Sequence, residues 1–516
     1  MPKNTRPDLI LYNAKVVTLN PKQPIAELVS IKNGKIVHVG SSEILQELRF
    51  PNIRSINCHG HTLIPGFIDA HMHVFGYSSS LVSIDCSPKN IDSISQIKIA
   101  IQKKLSGNKS QDSWIRGTGY NEFYLKERRH PNRWDLDDIA PNHPVKLNHR
   151  SGHACVLNSA ALREINITKD TPDPSNGIID RNWDTGEPTG LLFEMESHIE
   201  KLIPKMSKAE MLDGIALANK NLISNGITSI QDATISNDLE NWSRFKNIRN
   251  DGLFFPRIRM MIGALNITDF NNRKLRFGSV NGDVPLGHAK IIMTQTTGTL
   301  QPSMEELQDI MQLANQSKFP LAIHAIETIS IEEAIRTINS YPNNKESFRH
   351  RVEHCFEPTP SLISKIKALN IVVVTQPSFI YYNGERYLKE ISPHKQTFLY
   401  PLKSLIRSGI LVASGSDAPV APINPIIGLY SAVTRRTENG ATLGQSEAVS
   451  PFEALKIYTK NGAYAAMEEE IKGSIQPGKL ADLVLLDDNP ITLPIENLKD
   501  IQVLMTIING EVVFEK

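Results

Sequence analysis

The chain has 516 residues, enough for about three domains unless one of them is a large barrel. Its 56 lysines and arginines nearly balance its 55 aspartates and glutamates, which argues against a nucleic-acid-binding or membrane-surface protein. Residues 1–20 lack the long apolar core of a signal peptide, and no apolar run reaches the roughly 18 residues of a membrane-spanning helix. The four cysteines are scattered without C-x-x-C spacing: Cys58, Cys86, Cys155 and Cys355. We therefore expect a cytoplasmic protein with free thiols.

Both ends of the chain have the pattern of β structure. Residues 8–62 carry apolar strand runs, and an Asn-Gly pair within 31–37 is typical of a type I′ hairpin turn. The far end repeats this arrangement with a strand at 481–486 and a second Asn-Gly hairpin at 507–514. Because isolated hairpins are only marginally stable in water, we predict one small β-sandwich domain assembled from both termini, in preference to two independent flaps.

Between these ends, predicted strands and helices alternate. The strand that leads to His73 is followed by seven more apolar strand runs: 227–231, 258–262, 289–293, 321–324, 351–354, 371–375 and 411–413. Helical patterns lie at 208–224, 239–250, 303–316, 331–338, 360–369, 399–407 and 451–467. This alternation indicates a parallel sheet, and eight repeats indicate an α/β protein with a closed (β/α)8 TIM-like barrel, although the link 263–288 shows no clear helix. The predicted division is a β domain at 1–62 and 467–516 and a barrel at 63–466.

A long insertion, at about 74–207, separates the first two predicted barrel strands and is far longer than an ordinary βα loop. Such an insertion must lie over the C-terminal mouth of the barrel, where enzymes of this fold keep their active sites. It contains two runs of polar and glycine residues, at 117–121 and 148–153. We favour a lid over the site, and an elaborated outer wall is the alternative.

The first barrel strand ends in two histidines. Residues 65–73 are Pro-Gly-Phe-Ile-Asp-Ala-His-Met-His. Alternate residues of a strand point to the same side, so His71 and His73 can direct both imidazoles at one point while Met72 packs the other way. Imidazole is a common metal ligand, so this pair is a candidate half-site for a divalent cation. A second His-x-His at 59–61 is discounted, because its central glycine indicates a turn.

Four more residues with ligand chemistry end or closely follow later strands: Lys290, His324, His354 and Asp417. Each has an ordinary explanation alone, since a lone strand histidine is usually a core residue and an aspartate after Gly-Ser usually caps a turn or helix. The strand ends of a closed barrel, however, converge on one cavity. Together with the His-x-His pair, these residues predict a metal site suited to zinc, manganese or iron.

Several motifs carry a resemblance to a known family: P-G-F-I-D-A-H-M-H at 65–73, Lys290, I-H-A at 323–325, V-E-H at 352–354, G-S-D-A-P at 415–419 and G-K-L-A-D-L-V at 478–484. In combination they resemble the amidohydrolase superfamily. More narrowly, they resemble its YtcJ-like branch, which includes N-substituted formamide deformylases. The resemblance covers nearly the whole chain.

That resemblance implies a binuclear site, with zinc as the expected metal. The implied ligands are His71, His73 and Asp417 for one ion, His324 and His354 for the other, and N6-carboxylated Lys290 as a bridge. An ammonium group has no acceptor, so Lys290 can ligate only after such a change. Desolvation beside cations lowers a lysine pKa toward the neutral amine that reacts with CO2. A one-metal variant with unmodified Lys290 stays open.

The resemblance also implies hydrolysis of the C–N bond of a small amide- or formamide-like molecule by metal-activated water. Asp417 would be the catalytic residue that accepts a proton from the water and passes it to the leaving nitrogen. Two alternatives stay open: an ester, lactone or phosphoester hydrolase on the same site, and a regulatory relative without activity. The complete ligand set argues against the second. The expected partner is a small-molecule substrate, with no nucleic acid or membrane, and a homodimer stays open.

Further polar residues are candidates for supporting roles. Asp69 lies two residues before His71, on the same side of the strand, and is a candidate to orient a ligand. The candidate substrate contacts are Tyr120, Asn121 and His153 in the insertion and Gln295, Gln376 and Tyr381 on later loops. For each of these six, packing or solvation is the alternative role.

Overall fold

The structure is a computed structural model that describes residues 6–48, 53–107, 114–174, 177–295, 298, 300–340 and 348–516. In this part of the chain, four β-sheets carry the architecture. None of the helices described there is long and apolar enough to cross a lipid bilayer.

The largest sheet is the predicted barrel. Its strands, in spatial order, are Phe67–Met72, Ile227–Asp232, Arg257–Gly263, Val284–Ile292, Leu321–Ala325, Arg351–His354, Val372–Thr375 and Val412–Ser414, and neighbouring strands pair in parallel. The segment that follows the eighth strand returns to the end of the first strand through two backbone hydrogen bonds. The N–H of Asp417 donates to the carbonyl of His71 at 2.7 Å, and the N–H of His73 donates to that of Ala418 at 2.9 Å. The barrel prediction is confirmed.

Helices cover the barrel and its connections: Lys208–Ser224, Leu239–Asn250, Ile267–Asn272, Met304–Gln316, Thr328–Ser340, Pro360–Ala368, Ser378–Glu390, Pro393–Gln396, Leu402–Arg407, Pro425–Thr434, Pro451–Ile457 and Lys460–Ala465. The prediction of one helix over 451–467 is wrong. The helix breaks at Tyr458 because the carbonyl of that residue accepts the N–H of Ile68 from the first barrel strand, at 2.8 Å. The link 263–288, which shows no helical pattern in sequence, contains the short helix Ile267–Asn272.

Helix Lys208–Ser224 illustrates how these helices are fixed. Its apolar residues Ile215, Ala218 and Leu222 recur at three- and four-residue spacing and are buried. Ser207 and Glu210 form a capping box that satisfies backbone donors at its start. Burial of a leucine or isoleucine side chain contributes about 1.5–3 kcal/mol, so this face, rather than helix propensity, holds the helix in place.

Two sheets form the small β-sandwich. One contains Lys35–Gly40, Leu28–Lys32, Leu9–Tyr12 and Arg54–Asn57, and the other contains Glu511–Glu515, Val503–Ile508, Leu483–Leu486, Thr62–Pro65, Lys15–Val17 and Ile25–Ala26. A single buried cluster joins residues from both ends of the chain, such as Leu11, Val29, Leu483 and Ile507. The composite sandwich is thus built as predicted, because neither terminus could bury this cluster alone.

The two predicted Asn-Gly turns meet inside that domain. Both residues of each pair have positive φ, at 48° and 72° for Asn33 and Gly34 and at 54° and 78° for Asn509 and Gly510, as a type I′ turn requires. A Cβ atom at Gly34 would overlap the side chain of Asn509. The tips therefore pack against each other, and glycine at Gly34 serves both the turn and this close approach.

Gly66 is the point where the chain passes from the sandwich to the barrel. Thr62–Pro65 pairs with Leu483–Leu486 in the sandwich, and Phe67–Met72 pairs with Ile227–Asp232 in the barrel. A Cβ atom at Gly66 would overlap the side chain of Thr228, so only glycine permits this crossing. The division into 1–62, 63–466 and 467–516 stays a prediction, and the strand pairing places the change at Gly66.

The insertion has its own sheet, with strands in the order Ile178–Arg181, Pro188–Phe193, Ala154–Leu157, Val145–His149, Ile115–Tyr120 and Ile84–Asp85. Its helices are Val74–Val82, Ile94–Gly107, Arg133–Asp137, Ser159–Glu164 and Glu196–Ile199. The hairpin loop that joins Val145–His149 to Ala154–Leu157 reaches the barrel, where Arg150 Nη2 donates to the carbonyl oxygen of Val420 at 3.1 Å. The insertion therefore lies over the C-terminal mouth.

Candidate active site

One cavity of about 900 Å³ lies at the C-terminal mouth of the barrel, between the strand ends and the insertion. All six predicted ligands line it: His71, His73, Lys290, His324, His354 and Asp417. The prediction that these residues converge thus agrees with their placement. Their role as metal ligands stays a proposal.

His71, His73 and Asp417 form the tightest group. The Nε2 atoms of His71 and His73 lie 3.4 and 3.0 Å from Asp417 Oδ1. One ligand atom from each of the three residues can be chosen so that all lie within 4.8 Å of one another. Two imidazoles and one carboxylate at this spacing are a donor set that suits a divalent transition metal.

His324 and His354 form the second group, with ring centroids 4.3 Å apart. The ring of His354 also lies 4.9 Å from that of His71, so the two groups adjoin. Gln376 Oε1 lies 2.8 Å from Nδ1 of His354, which assigns the proton to Nδ1 and leaves the Nε2 lone pair free. That Nε2 atom and Lys290 Nζ are buried without a hydrogen-bond partner among the described residues. Such orphan atoms fit a ligand site, because buried polar atoms are otherwise satisfied.

Burial keeps the second group neutral. It lowers the pKa of His354 to about 3, and it lowers that of His324 well below the ordinary value, with help from neighbouring His354. Burial also lowers the pKa of Lys290 to about 8. Neutral imidazoles are the form that binds metal, and a lysine with this pKa has an accessible amine form near neutral pH.

The first group is a charged one in the absence of an ion. Burial raises the pKa of Asp417, but the hydrogen bonds from His71 and His73 outweigh it and hold that pKa well below the ordinary value. Burial and Lys290 lower the pKa of His71, but hydrogen bonds to Asp417 and Glu353 outweigh them and raise it. Asp417 is therefore ionised at neutral pH, as a ligand or a proton acceptor must be.

Sequence reasoning missed the residues that hold His71. Glu353 Oε2 lies 2.6 Å from His71 Nδ1, and Glu353 is fully buried. Arg351 donates to both oxygens of Glu353, at 2.7 and 2.9 Å, and to the carbonyl of Ala70 at 2.8 Å. Its remaining nitrogen bonds to Gln231. The sequence signal that could have revealed this contact is an Arg and a Glu two residues apart in a buried strand, because a buried charge is stable only when it is paired.

Asp69 connects the first and eighth strands. Its Oδ1 accepts the backbone N–H of His71 at 3.2 Å and that of Ser416 at 3.0 Å. The two donors lie at or beside two candidate ligands, so Asp69 fixes the backbone that carries them. On the other side, Thr234 Oγ1 lies 3.1 Å from His73 Nδ1 and orients the second imidazole.

The backbone is strained at two candidate ligands. His354 has φ of 67° and Asp417 has φ of 57°, in the left-handed region that residues other than glycine seldom adopt. Gly415 lets the eighth strand approach the first, because a Cβ atom there would lie 2.6 Å from the carbonyl oxygen of His71. These constraints aim both side chains into the cavity.

Among the six candidate substrate contacts, His153 lines the cavity. Its ring lies 6.0 Å from that of His324. Nδ1 of His153 is 3.0 Å from a carboxylate oxygen of Glu194. Burial lowers the pKa of His153, but the contact with Glu194 outweighs it and raises the pKa. His153 therefore offers a cationic or hydrogen-bonding group to a molecule in the cavity.

Tyr120 and Asn121 are not among the described residues that line the cavity. Tyr120 is fully buried inside the insertion, with its hydroxyl 3.0 Å from Nδ1 of His130. Asn121 is also buried, and its Oδ1 accepts the N–H of Phe123 at 3.1 Å. Their contacts are internal to the insertion, so substrate contact by either has no support from this geometry.

The three candidates predicted on later loops also lie off the cavity surface formed by the described residues, and Tyr381 lies within helix Ser378–Glu390 rather than on a loop. Gln376 is fully buried and bonds to His354, so it orients a candidate ligand. The Tyr381 ring packs against Tyr430, with centroids 6.1 Å apart. Gln295 is partly buried at the end of a described segment. Substrate contact by these three stays a prediction.

Comparison with known proteins places the chain among relatives of similar length. The putative amidohydrolase YtcJ of Bacillus subtilis (strain 168) is 28% identical over 531 residues, covering 98% of this chain and 99% of that protein. N-substituted formamide deformylase of Arthrobacter pascens is 27% identical over 540 residues, covering 99% and 98%. The fold is shared with the crystal structure of a metal-dependent hydrolase of Pyrococcus horikoshii OT3, with a TM-score of 0.76 at 20% identity over 95% of this chain and 99% of that one.

The family comparison gives the same result for nearly the whole sequence. The profile of the amidohydrolase family matches residues 54–514, which include all eight barrel strands and the six candidate ligands. The chain is a member of the amidohydrolase family.

Proposed function

We propose that this protein is a metal-dependent hydrolase that cleaves the C–N bond of a small amide or formamide. The observation that carries the proposal is the His71–His73–Asp417 group, whose ligand atoms lie within 4.8 Å of one another in a cavity large enough for a small molecule. The name of the Arthrobacter relative, a deformylase of N-substituted formamides, supports a C–N bond as the target.

The donor set supports a second ion beside the first. His324 and His354 are buried and neutral, and Lys290 Nζ has no hydrogen-bond partner among the described residues. Lys290 with a carboxylated amine would supply oxygens that can bridge two ions, with zinc as the proposed metal. When bound, such ions supply Lewis acidity, which acidifies water and polarises a substrate carbonyl.

The protein's own groups would manage the protons. Asp417 is ionised and faces the cavity, so it is the proposed base that takes a proton from water and delivers it to the leaving nitrogen. His153, whose pKa the contact with Glu194 raises in spite of burial, would donate a hydrogen bond to the substrate oxygen as negative charge develops there. The insertion would exclude bulk water from this region.

The test is a substrate panel with the purified protein: N-substituted formamides, N-acyl amines, ureas, esters and lactones. We expect C–N hydrolysis that a chelator abolishes and added zinc restores. Asp417→Asn, assayed with its metal content measured, is the matched inactive control. Turnover of esters or lactones without any amide, urea or formamide would contradict the proposal.

A further inference from the structure

The hairpin loop that joins Val145–His149 to Ala154–Leu157 lies across the mouth of the barrel. At one end, Arg150 contacts the carbonyl of Val420, whose own N–H donates to the carbonyl of Asp417 at 2.8 Å. At the other end, His153 faces His324 on the fifth strand. A substrate held at the candidate ligands must therefore lie beside this loop.

Arg150 lines the cavity without an ionic partner. Its side chain makes the one hydrogen bond to Val420, and within the described part of the chain no carboxylate lies within 4.0 Å of it. Its Nε and Nη1 are not among the buried atoms that lack a partner, so they are accessible to solvent, and Arg150 is one of the residues that line the cavity. A guanidinium has five donors and stays charged, so most of its hydrogen-bonding capacity is unused here.

The groups around Arg150 do not neutralise it. Its electrostatic neighbours are the phenols of Tyr387, Tyr124 and Tyr382 and the guanidinium of Arg386. Burial raises the pKa of each phenol, so all three are neutral at physiological pH. The charge of Arg386 is already paired, with Glu122 at 3.1 Å and with Glu390.

Removal of a charge from water is costly unless an opposite charge replaces the solvent. We propose that Arg150 is the receptor for a carboxylate on the substrate, so that the preferred substrates are N-formyl or N-acyl amino acids. The inference rests on the proposed function. A planar guanidinium fork matches a carboxylate, and one cation balances one negative charge, whereas a phosphate dianion would be left with uncompensated charge.

The position of Arg150 also indicates which half of the substrate carries the carboxylate. Arg150 bonds to Val420, which lies in the same turn as Asp417, so a carboxylate bound to Arg150 would lie beside the turn that carries the proposed proton acceptor. An α-amino acid places its carboxylate two bonds from the amide nitrogen, which is the group that Asp417 would protonate. The acid therefore belongs to the amine half of the substrate, and the formyl or acyl group points toward the metal ligands.

The experiment compares N-formyl-leucine with N-formyl-leucinamide, which have nearly the same shape but differ in charge. We expect the wild type to prefer the acid by roughly 10²-fold in kcat/KM. Arg150→Met should lower kcat/KM for the acid by a similar factor and leave the amide within about 3-fold of wild type. Arg150→Lys keeps the charge but loses the planar guanidinium with its paired donors. Its kcat/KM for the acid should lie between those of the wild type and Arg150→Met.

Binding supplies a second measurement that does not depend on turnover. Metal-loaded Asp417→Asn protein is titrated with N-formyl-leucine by calorimetry, with and without Arg150→Met. We expect the acid to bind and the added substitution to weaken it by at least 10-fold. Arg244→Met is the matched control, because Arg244 also lines the cavity but is paired with Glu240; it should leave both measurements unchanged.

The outcomes separate the inference from the proposed function. Equal losses for acid and amide in Arg150→Met would mean that Arg150 only fixes the hairpin loop, and the inference would fail. Equal use of the two substrates by the wild type, or hydrolysis of neutral formamides alone, would also overturn it while the proposed function stands. If no C–N substrate is cleaved, the proposed function fails, and the titration alone decides whether Arg150 binds carboxylates.

Discussion

Glu353 Oε2 and His71 Nδ1 lie 2.6 Å apart in the centre of the barrel, where both residues are buried. Glu353 is ionised, since Arg351 and His71 hold its pKa well below the ordinary value in spite of burial. His71 must therefore donate its Nδ1 proton to Glu353 and present Nε2 to the cavity. The carboxylate fixes both the tautomer and the direction of this imidazole.

Glu353→Gln should weaken metal binding. An amide accepts a weaker hydrogen bond and does not favour one tautomer of His71, and such partners are typically worth about 10–100-fold in metal affinity. We expect a loss in that range in a competition assay with a chromogenic chelator. Thr234→Val, which removes the neutral contact to His73, should have a smaller effect. Unchanged affinity in a folded Glu353→Gln protein would show that Glu353 has only a structural role.

Asp417→Asn should lower turnover by about 10²–10⁴-fold, the usual contribution of general acid–base catalysis. The amide cannot accept the proton that the ionised carboxylate accepts. Elemental analysis of the same sample distinguishes lost chemistry from lost metal, because Asp417 is also a candidate ligand. Near wild-type turnover with full metal would remove Asp417 from the mechanism.

Metal content tests the bridging role of Lys290. We expect about two divalent ions per chain in the wild type and about one in Lys290→Met, because the bridge is the shared ligand of a two-metal site. Elemental analysis and intact mass under native conditions at neutral pH, where the acid-labile carbamate is retained, are the measurements. Two ions bound with an unmodified Lys290 would contradict the carbamate, and active protein without metal would contradict the site.

Lys290 should also affect how the free energy of unfolding depends on pH. Burial lowers its pKa from 10.5 to about 8, so between these values the unfolded chain binds more protons than the folded one, and the unfolding free energy of metal-free protein rises with pH. We expect metal-free Lys290→Met to be more stable than wild type at pH 7. Urea unfolding in CO2-free buffer should show this difference shrinking from about pH 8 upward. A constant difference would show that Lys290 does not titrate in this range.

Deletion of residues 470–516 should leave an insoluble or unstable protein. It removes Leu483–Leu486 and Val503–Ile508, exposing the edge of Thr62–Pro65 and half of the sandwich core. All six candidate ligands lie outside the deleted segment, so the fault would be in folding and not in chemistry. Size-exclusion chromatography and thermal melting test this, and a soluble, monodisperse, equally heat-resistant product would refute the shared core.

Sequence pattern was sufficient for the barrel and for the convergence of the six candidate ligands on one cavity, because both depend on local features. Apolar runs such as 227–231 and 321–324 mark buried strands. A histidine at the C-terminal end of such a strand lies at the mouth of the barrel, where all the strand ends converge. The roles of Glu353 and Tyr120 depend instead on tertiary packing. The Arg-x-Glu spacing marks Glu353 as part of a buried charge pair, but it does not reveal the contact of Glu353 with His71, 282 positions away, or the turn of Tyr120 toward His130 inside the insertion.

The left-handed backbone at His354 and Asp417 affects how substitutions at these positions should be interpreted. Alanine at either site would remove the ligand and also replace a residue type that tolerates the left-handed region, where φ is 67° or 57°, with one that tolerates it less well, so its effect on stability would combine two costs. Asparagine tolerates this conformation better than most residues and avoids much of the second cost. An alanine scan would therefore overstate the energetic importance of these two side chains relative to His71 or His324, whose backbones are not among the positive-φ residues described.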